Sequence, residues 1–257
     1  MRNILAIAGK DLRSYFTSPI AYVILTGYLL LAGWFFFNLL ANFNQMLIAY
    51  MSASAPELLE NLNLNEWVVA PLLHNLAVVL VILVPMITMR SFAEEKKSGT
   101  YELLMTSPIS VAEIVLGKFA GSFVFLFLMV ALTGLYPLIL LWFGDPEVGV
   151  IASGLIGLFL LGSSFVAIGL FTSSLTDNQI IAAVSCLVVL LLLYIIAWPA
   201  QSAGDSLGPL LRYLSLTEHY NELVRGVIDT RDVVYFLSVI ALALFLTLRS
   251  VESMRWR

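Results

Sequence analysis

The sequence predicts an all-α integral membrane protein with six transmembrane helices and an N-terminal interfacial helix. Three observations carry that prediction. Of the 257 residues, 60% are hydrophobic and only 12% are charged, where a soluble domain carries about 45–50% and about 25%. The mean hydropathy is +0.96. Six uncharged windows approach or exceed the ~20 apolar residues that cross a ~30 Å hydrocarbon layer. With 13 basic and 17 acidic residues, the chain cannot coat a water-soluble globule of this size, which excludes most soluble enzymes and disordered tails. The net charge of −4 argues against nucleic acid as a partner, because phosphate binding needs a basic surface. A single cysteine, Cys186, excludes a disulfide framework and a cysteine-based zinc site.

Residues 1–18 come first. Ile4, Leu5, Ala8, Leu12, Tyr15 and Phe16 share one side of a helix. Arg2, Lys10 and Arg13 fall within roughly 80° of each other on another side at 3.6 residues per turn. Such a helix lies in the membrane interface; a solvated leader is the plainer alternative. A signal peptide is excluded, because Lys10, Asp11 and Arg13 interrupt the apolar run. The spans then follow at about 20–40, 68–89, 121–143, 151–171, 180–198 and 233–248. Pro19 stands ahead of the first, where a proline suits a helix start. Pro71, His74, Asn75 and Pro85 interrupt the second. The sixth is short and relies on thinning or snorkelling at its ends.

Basic residues set the orientation. Arg2, Lys10, Arg13, Arg90, Lys96, Lys97, Lys118, Arg249, Arg255 and Arg257 fall on one side of six spans, and only Arg212, Arg225 and Arg231 on the other. Both termini are therefore expected in the cytoplasm. The 41–67 loop, with Glu57, Glu60 and Glu66 and no basic residue, is expected outside.

The 90–118 segment is the most informative. Glu94, Glu95, Lys96 and Lys97 read as a helix leaving the membrane, and Gly99 can stop it by taking a positive φ. Thr100 is placed to cap a short helix with Tyr101, Leu104 and Met105 as its apolar stripe. Pro108 ends that helix. A second cap starts the helix that runs through Gly117 and Lys118 into the third span. The segment is either a solvated flank or a docking surface for a soluble partner; a short exposed apolar stripe at fixed distance from a membrane fits the second.

Here the chain resembles ABC-2 type transporter permeases. Glu95, Gly99, Thr100, Glu102, Leu104 and Pro108, with Gly117 and Lys118 downstream, are similar to the pattern between the second and third spans of that family. The stretch from Lys10 to Pro19 resembles the start of the subgroup associated with gliding motility, to which a subgroup serving nitrous-oxide reductase maturation is related. The resemblance covers essentially the whole chain as one transmembrane domain. It implies a bacterial plasma-membrane permease, half of an exporter, that pairs with a second copy or paralogue and is driven by two ATPase subunits. It implies that 90–118 is a cytoplasmic coupling loop. Glu94, Glu95, Gly99, Thr100, Tyr101, Glu102, Leu104 and Pro108 would meet the ATPase, and Gly117 and Lys118 would position the helix. The 199–232 segment would be an external helical loop dipping toward the membrane. A membrane anchor for a motility or assembly complex is the alternative use of the fold.

The external segment has its own signals. Gly204, Gly208 and Pro209 mark turns. Leu210, Leu211, Tyr213 and Leu214 form an apolar face, and Ser215 to Glu218 fits a capping box ahead of a helix ending near Gly226.

Catalytic motifs are missing. No stretch matches the phosphate-cradling G-x-x-x-x-G-K-[ST] pattern, so no cofactor is expected in this chain and ATP belongs to the partner. His74 and His219 stand alone, without the H-E-x-x-H spacing of a metalloprotease. Ser153 lacks the glycine pattern of a membrane serine nucleophile. The predicted spans hold no charge, which disfavours a proton- or sodium-driven carrier. His74 and Asn75 either face a pathway or bond to a neighbouring helix, and the second is the more usual fate of polar groups in lipid.

Overall fold

The computed structural model describes residues 2–52, 62–101, 106, 108–201 and 204–255. All regular structure among them is helical. In chain order the helices are α1 (Arg2–Thr17), α2 (Pro19–Ser52), α3 (Ala70–Thr88), α4 (Arg90–Lys97), α5 (Val111–Thr133), α6 (Leu135–Phe143), α7 (Val148–Leu175), α8 (Gln179–Ile195), α9 (Gly204–Leu214), α10 (Leu216–Val224) and α11 (Thr230–Arg255). A π-helical turn, Asn65–Val69, leads into α3, and a 3-10 turn, Trp198–Gln201, follows α8. Six segments are long and apolar enough to cross a membrane: Pro19–Ser52, Asn65–Lys97, Val111–Phe143, Val148–Leu175, Gln179–Ala200 and Thr230–Ser253.

The central element is α7. Of its most apolar stretch, 72% is buried inside the chain, against 17% for α8 and 22% for α11. Small residues allow this. A Cβ on Gly157 would stand 2.8 Å from Leu223 Cβ, and on Gly154 and Gly162 it would meet the side-chain ends of Leu73 and Leu126 at 2.5 and 2.8 Å, so glycines let three neighbouring elements pack close on α7. The exposed apolar side chains of α8, among them Ile180, Val184, Val188 and Leu192, suit a lipid-facing helix, where an apolar surface has no water to avoid.

Two long segments are interrupted. Val111–Phe143 breaks at Gly134, one turn before Pro137, whose ring lacks an N–H and crowds the carbonyl four residues back. There the Tyr28 hydroxyl donates to Thr133 Oγ1 at 2.8 Å, and Thr133 donates onward to the Met129 carbonyl at 3.1 Å. The second interruption, at Met89, belongs to the candidate site.

Several expectations need correction. Gly208 and Pro209 do not form a turn; α9 runs through them. Pro209, the sixth of the eleven residues of α9, removes one backbone bond, while the apolar positions around it keep a helical period. The capping box at Ser215 is also absent. Ser215 is the N-cap residue but makes no side-chain cap bond; its hydroxyl pairs with Thr217 Oγ1 at 2.7 Å, and Thr217 donates to the Tyr194 carbonyl. That pairing ties α10 to the end of α8. The sixth span is not short: α11 has 26 residues, about 39 Å at 1.5 Å each. Leu5, assigned to the apolar side of α1, is 72% exposed, and the side turned inward carries Ile7 and Asp11.

Candidate functional site

The site is built where α1, α4 and α5 meet. Arg90 to Lys97 forms α4, an amphipathic helix with Lys96 and Lys97 in its last turn, where cations offset the helix dipole. Gly99 follows with φ 72°, the left-handed conformation that ends a helix at low cost in glycine. Thr100 turns its hydroxyl back, to Ser98 Oγ at 2.9 Å and to the Glu95 carbonyl at 3.4 Å. Tyr101 lies under Lys96, whose Nζ is 5.6 Å from the ring centroid. Glu102, Leu104 and Met105 lie outside the described residues. Pro108 is exposed, and α5 then begins with a full capping box. Ser110 Oγ accepts from the Glu113 amide at 3.2 Å, and Glu113 accepts from the Ser110 amide at 3.1 Å.

Nearly two turns into α5, Gly117 brings α1 close. A Cβ there would sit 2.7 Å from Ile7 Cβ, and one on Gly121 would sit 3.2 Å from Asp11 Cβ. Asn3 adds a bond from α1 to Glu113 at 3.1 Å. Lys118 follows Gly117 with a side chain only 2% exposed. Its ammonium reaches three acceptors: the Ser91 carbonyl at 2.6 Å, Glu95 at 2.9 Å and Asp11 at 3.6 Å. It also stands 5.0 Å from the Phe92 ring centroid. Glu95 accepts from Lys10 of α1 at 2.9 Å. Two cations and two carboxylates thus join three helices. Burial raises Asp11 above the ordinary carboxylate value; Lys118 opposes the shift and Glu95 adds to it. Burial alone would lower Lys10, but the bond to Glu95 and the charges of Glu95 and Asp11 outweigh it and hold Lys10 above its usual value.

The interruption at Met89 is held from α7. Ser173 Oγ donates to the Met89 carbonyl at 3.0 Å and accepts from the amides of Phe92 and Ala93 at 3.1 and 3.2 Å. A side chain inserted in the backbone ladder is a known cause of a helix break. Lys96 donates to the carbonyl of Ser174, so the C-terminal end of α7 is capped by a cation from α4.

Of the residues singled out from sequence, the structure brings together Glu95, Gly117 and Lys118. It leaves Glu94 half-exposed, 4.0 Å from Arg90, and Gly99, Thr100 and Pro108 on the surface. Sequence reasoning missed Asp11, Ser91 and Ser173. An acidic residue on an otherwise apolar side of α1 was the available signal for Asp11; a serine in a buried span carries no such mark.

The opposite end of the bundle holds the histidines. His219 Nδ1 is 2.6 Å from Asp232, and Nε2 donates to the Tyr213 carbonyl at 3.0 Å. The ring stacks on Tyr235 at 3.9 Å. Both nitrogens are committed, so the pair fastens α10 to α11 and has none free for acid–base work. His74 bonds to the Ala70 carbonyl and to Asn221 of α10, each at 2.7 Å, the neighbouring-helix role. Among the described residues no group of His, Cys, Asp or Glu could hold a metal ion.

Comparison with known families decides the class. The model for the ABC-2 family transporter protein matches residues 57–248, about three quarters of the chain. The chain belongs to the ABC-2 transporter family. It is a multi-pass membrane permease domain and not an enzyme. Permeases of this family work with ATPase subunits. No curated protein matches this permease.

Proposed function

We propose that this permease is the transmembrane half of an ATP-driven exporter, paired with a second copy or paralogue and driven by two separate ATPase subunits. The 90–118 segment is the coupling loop, and it faces the cytoplasm with both termini; ten basic residues on that side against three on the other support this orientation. Glu94, Gly99, Thr100, Tyr101, Glu102 and Leu104 form the docking surface, and Pro108 ends it. Glu95 acts from within, as a positioning residue beside Gly117 and Lys118.

One observation carries the reading. Lys118 binds the start of the loop at Ser91 and Glu95 and the first helix at Asp11. A displacement of the loop by an ATPase therefore pulls on α1 and the third span together, the linkage that a rigid-body shift between inward- and outward-open states requires.

Capture of the ATPase by tagged permease from membranes tests docking. L104E and E102K should each lower capture about tenfold, the weight of one interface anchor, while membrane insertion persists. Undiminished capture by both overturns the docking assignment. A reporter fused after Arg257 should read cytoplasmic and one in the 41–67 loop external; the reverse overturns the orientation. The likeness of Lys10 to Pro19 to the gliding-motility subgroup favours a second reading, a membrane subunit of a motility or assembly complex. Captured ATPase whose hydrolysis moves no solute would select it.

A further inference from the structure

A half-open cavity of about 170 Å³ lies beside the ion cluster, between α1, the start of α2, the end of α3 and α4. Its walls divide by chemistry. Ile20, Ile24, Met86 and Ile87 form an apolar wall, and Met86 is 42% exposed, so this wall runs outward to lipid. The facing wall carries Arg90, Glu94 and the hydroxyls of Ser14, Ser18, Ser98 and Thr100. The division falls where the first charges follow the apolar run of α3, at the level of the membrane boundary.

The charges that line the cavity balance: Lys10, Arg90 and Lys118 against Asp11, Glu94 and Glu95. Four of them already satisfy one another in the cluster. Arg90 and Glu94 remain, a loose pair 4.0 Å apart, and Arg90 Nε is buried with no hydrogen-bond acceptor. A buried donor without an acceptor is costly, and a cation beside a half-exposed carboxylate complements a ligand bearing both signs. The hydroxyls accept from N–H groups, which a primary ammonium offers and a quaternary one lacks. The volume is below the about 300–1,000 Å³ that encloses a whole small-molecule ligand, so a headgroup fits and its chains do not.

We propose that this cavity holds the headgroup of a phospholipid bearing a phosphate and a primary ammonium. The phosphate meets Arg90, the ammonium meets Glu94 and the hydroxyl wall, and the chains leave along Ile20, Ile24 and Met86. The site shares Glu94 and Thr100 with the proposed docking surface, but neither lipid binding nor its test requires an ATPase.

Native mass spectrometry of the full chain, released from detergent micelles doped with phosphatidylethanolamine, phosphatidylcholine or phosphatidylglycerol, tests it. Phosphatidylethanolamine should be retained about tenfold over phosphatidylcholine, the usual weight of a charge-assisted hydrogen bond. R90Q should lose a similar factor. S14W, at an exposed position on the rim, should block retention without touching the buried core, so a folding defect of R90Q leaves the test intact. Equal retention of all three lipids, preference for the anionic phosphatidylglycerol, or full retention by S14W overturns the proposal. Displacement by water-soluble glycerophosphoethanolamine at equal concentration also overturns it, because the ligand is then a free phosphate ester and not a lipid.

Discussion

The two ends of α7 are fastened by different chemistry. Near Gly154 and Gly157 the fastening is contact: backbone against Leu73 and Leu223, with Gly226 close to Val150 at the end of α10. His219 stacked on Tyr235 and paired with the Asp232 carboxylate completes that end. About 24 Å away along the helix, at Ser173 and Ser174, the fastening is polar. Serine hydroxyls, Lys96 and the Lys118 cluster hold α4 and α1 through flexible side chains around an open cavity. Packed contacts have one good arrangement. Ion pairs with long side chains can exchange partners. On the proposed coupling, the polar end is the one fit to change shape and the packed end is the fixed reference.

The largest effect expected from breaking this contrast is at Lys118. Lys118→Met leaves Glu95 and Asp11 buried without their shared cation, and should cost about 3–5 kcal/mol, read as a lowered unfolding temperature in detergent. A loss below about 1 kcal/mol would show that the cluster is as adaptable as a surface pair. At the packed end, Gly157→Ala places a methyl group 2.8 Å from Leu223 Cβ and should cost about 1–3 kcal/mol. Gly27→Ala, inside α2 with open space around it, serves as the control and should not destabilise, gaining up to about 1 kcal/mol from alanine's helix propensity. The smallest effect is expected at Asp11. Its carboxyl is already held above the ordinary value by burial, so the native state favours its protonated form. Its contribution to stability rises as pH falls through that raised value and is lost as pH climbs past it. Asp11→Asn mimics the protonated group and should change stability by less than about 1 kcal/mol at neutral pH, with less gain on mild acidification than wild type.

Much of the architecture was legible in the residues. Six apolar windows became six spanning segments because lipid forces every backbone polar group into a helix. Gly99 ended its helix, and the expected second cap, formed by Ser110 with Glu113, opened the next, because those signals are local. The misses were long-range. Pro209 reads as a breaker in isolation, yet in the middle of α9 the apolar period around it carries the helix through the one bond it removes. Ser215 found a better partner in Thr217 than in its own helix. For the site, Gly117 and Lys118 stood out by motif, but the reach of Lys118 to residues 27 and 107 positions away depends on α1 lying along α5. Ser173 could not be told from the other serines of α7 by sequence, because its partners are backbone groups of another helix.

Ser173 also gives the Met89 interruption a mechanical meaning. The long rod from Asn65 to Lys97 is jointed, and the pin of the joint belongs to a different rod. A load applied to α4 is therefore not carried straight up into α3. It is shared at the pin with α7, the axle around which the other helices pack, so the Ser173 hydroxyl, with Lys96 beside it, sets how much of that load bends a single helix and how much turns the bundle.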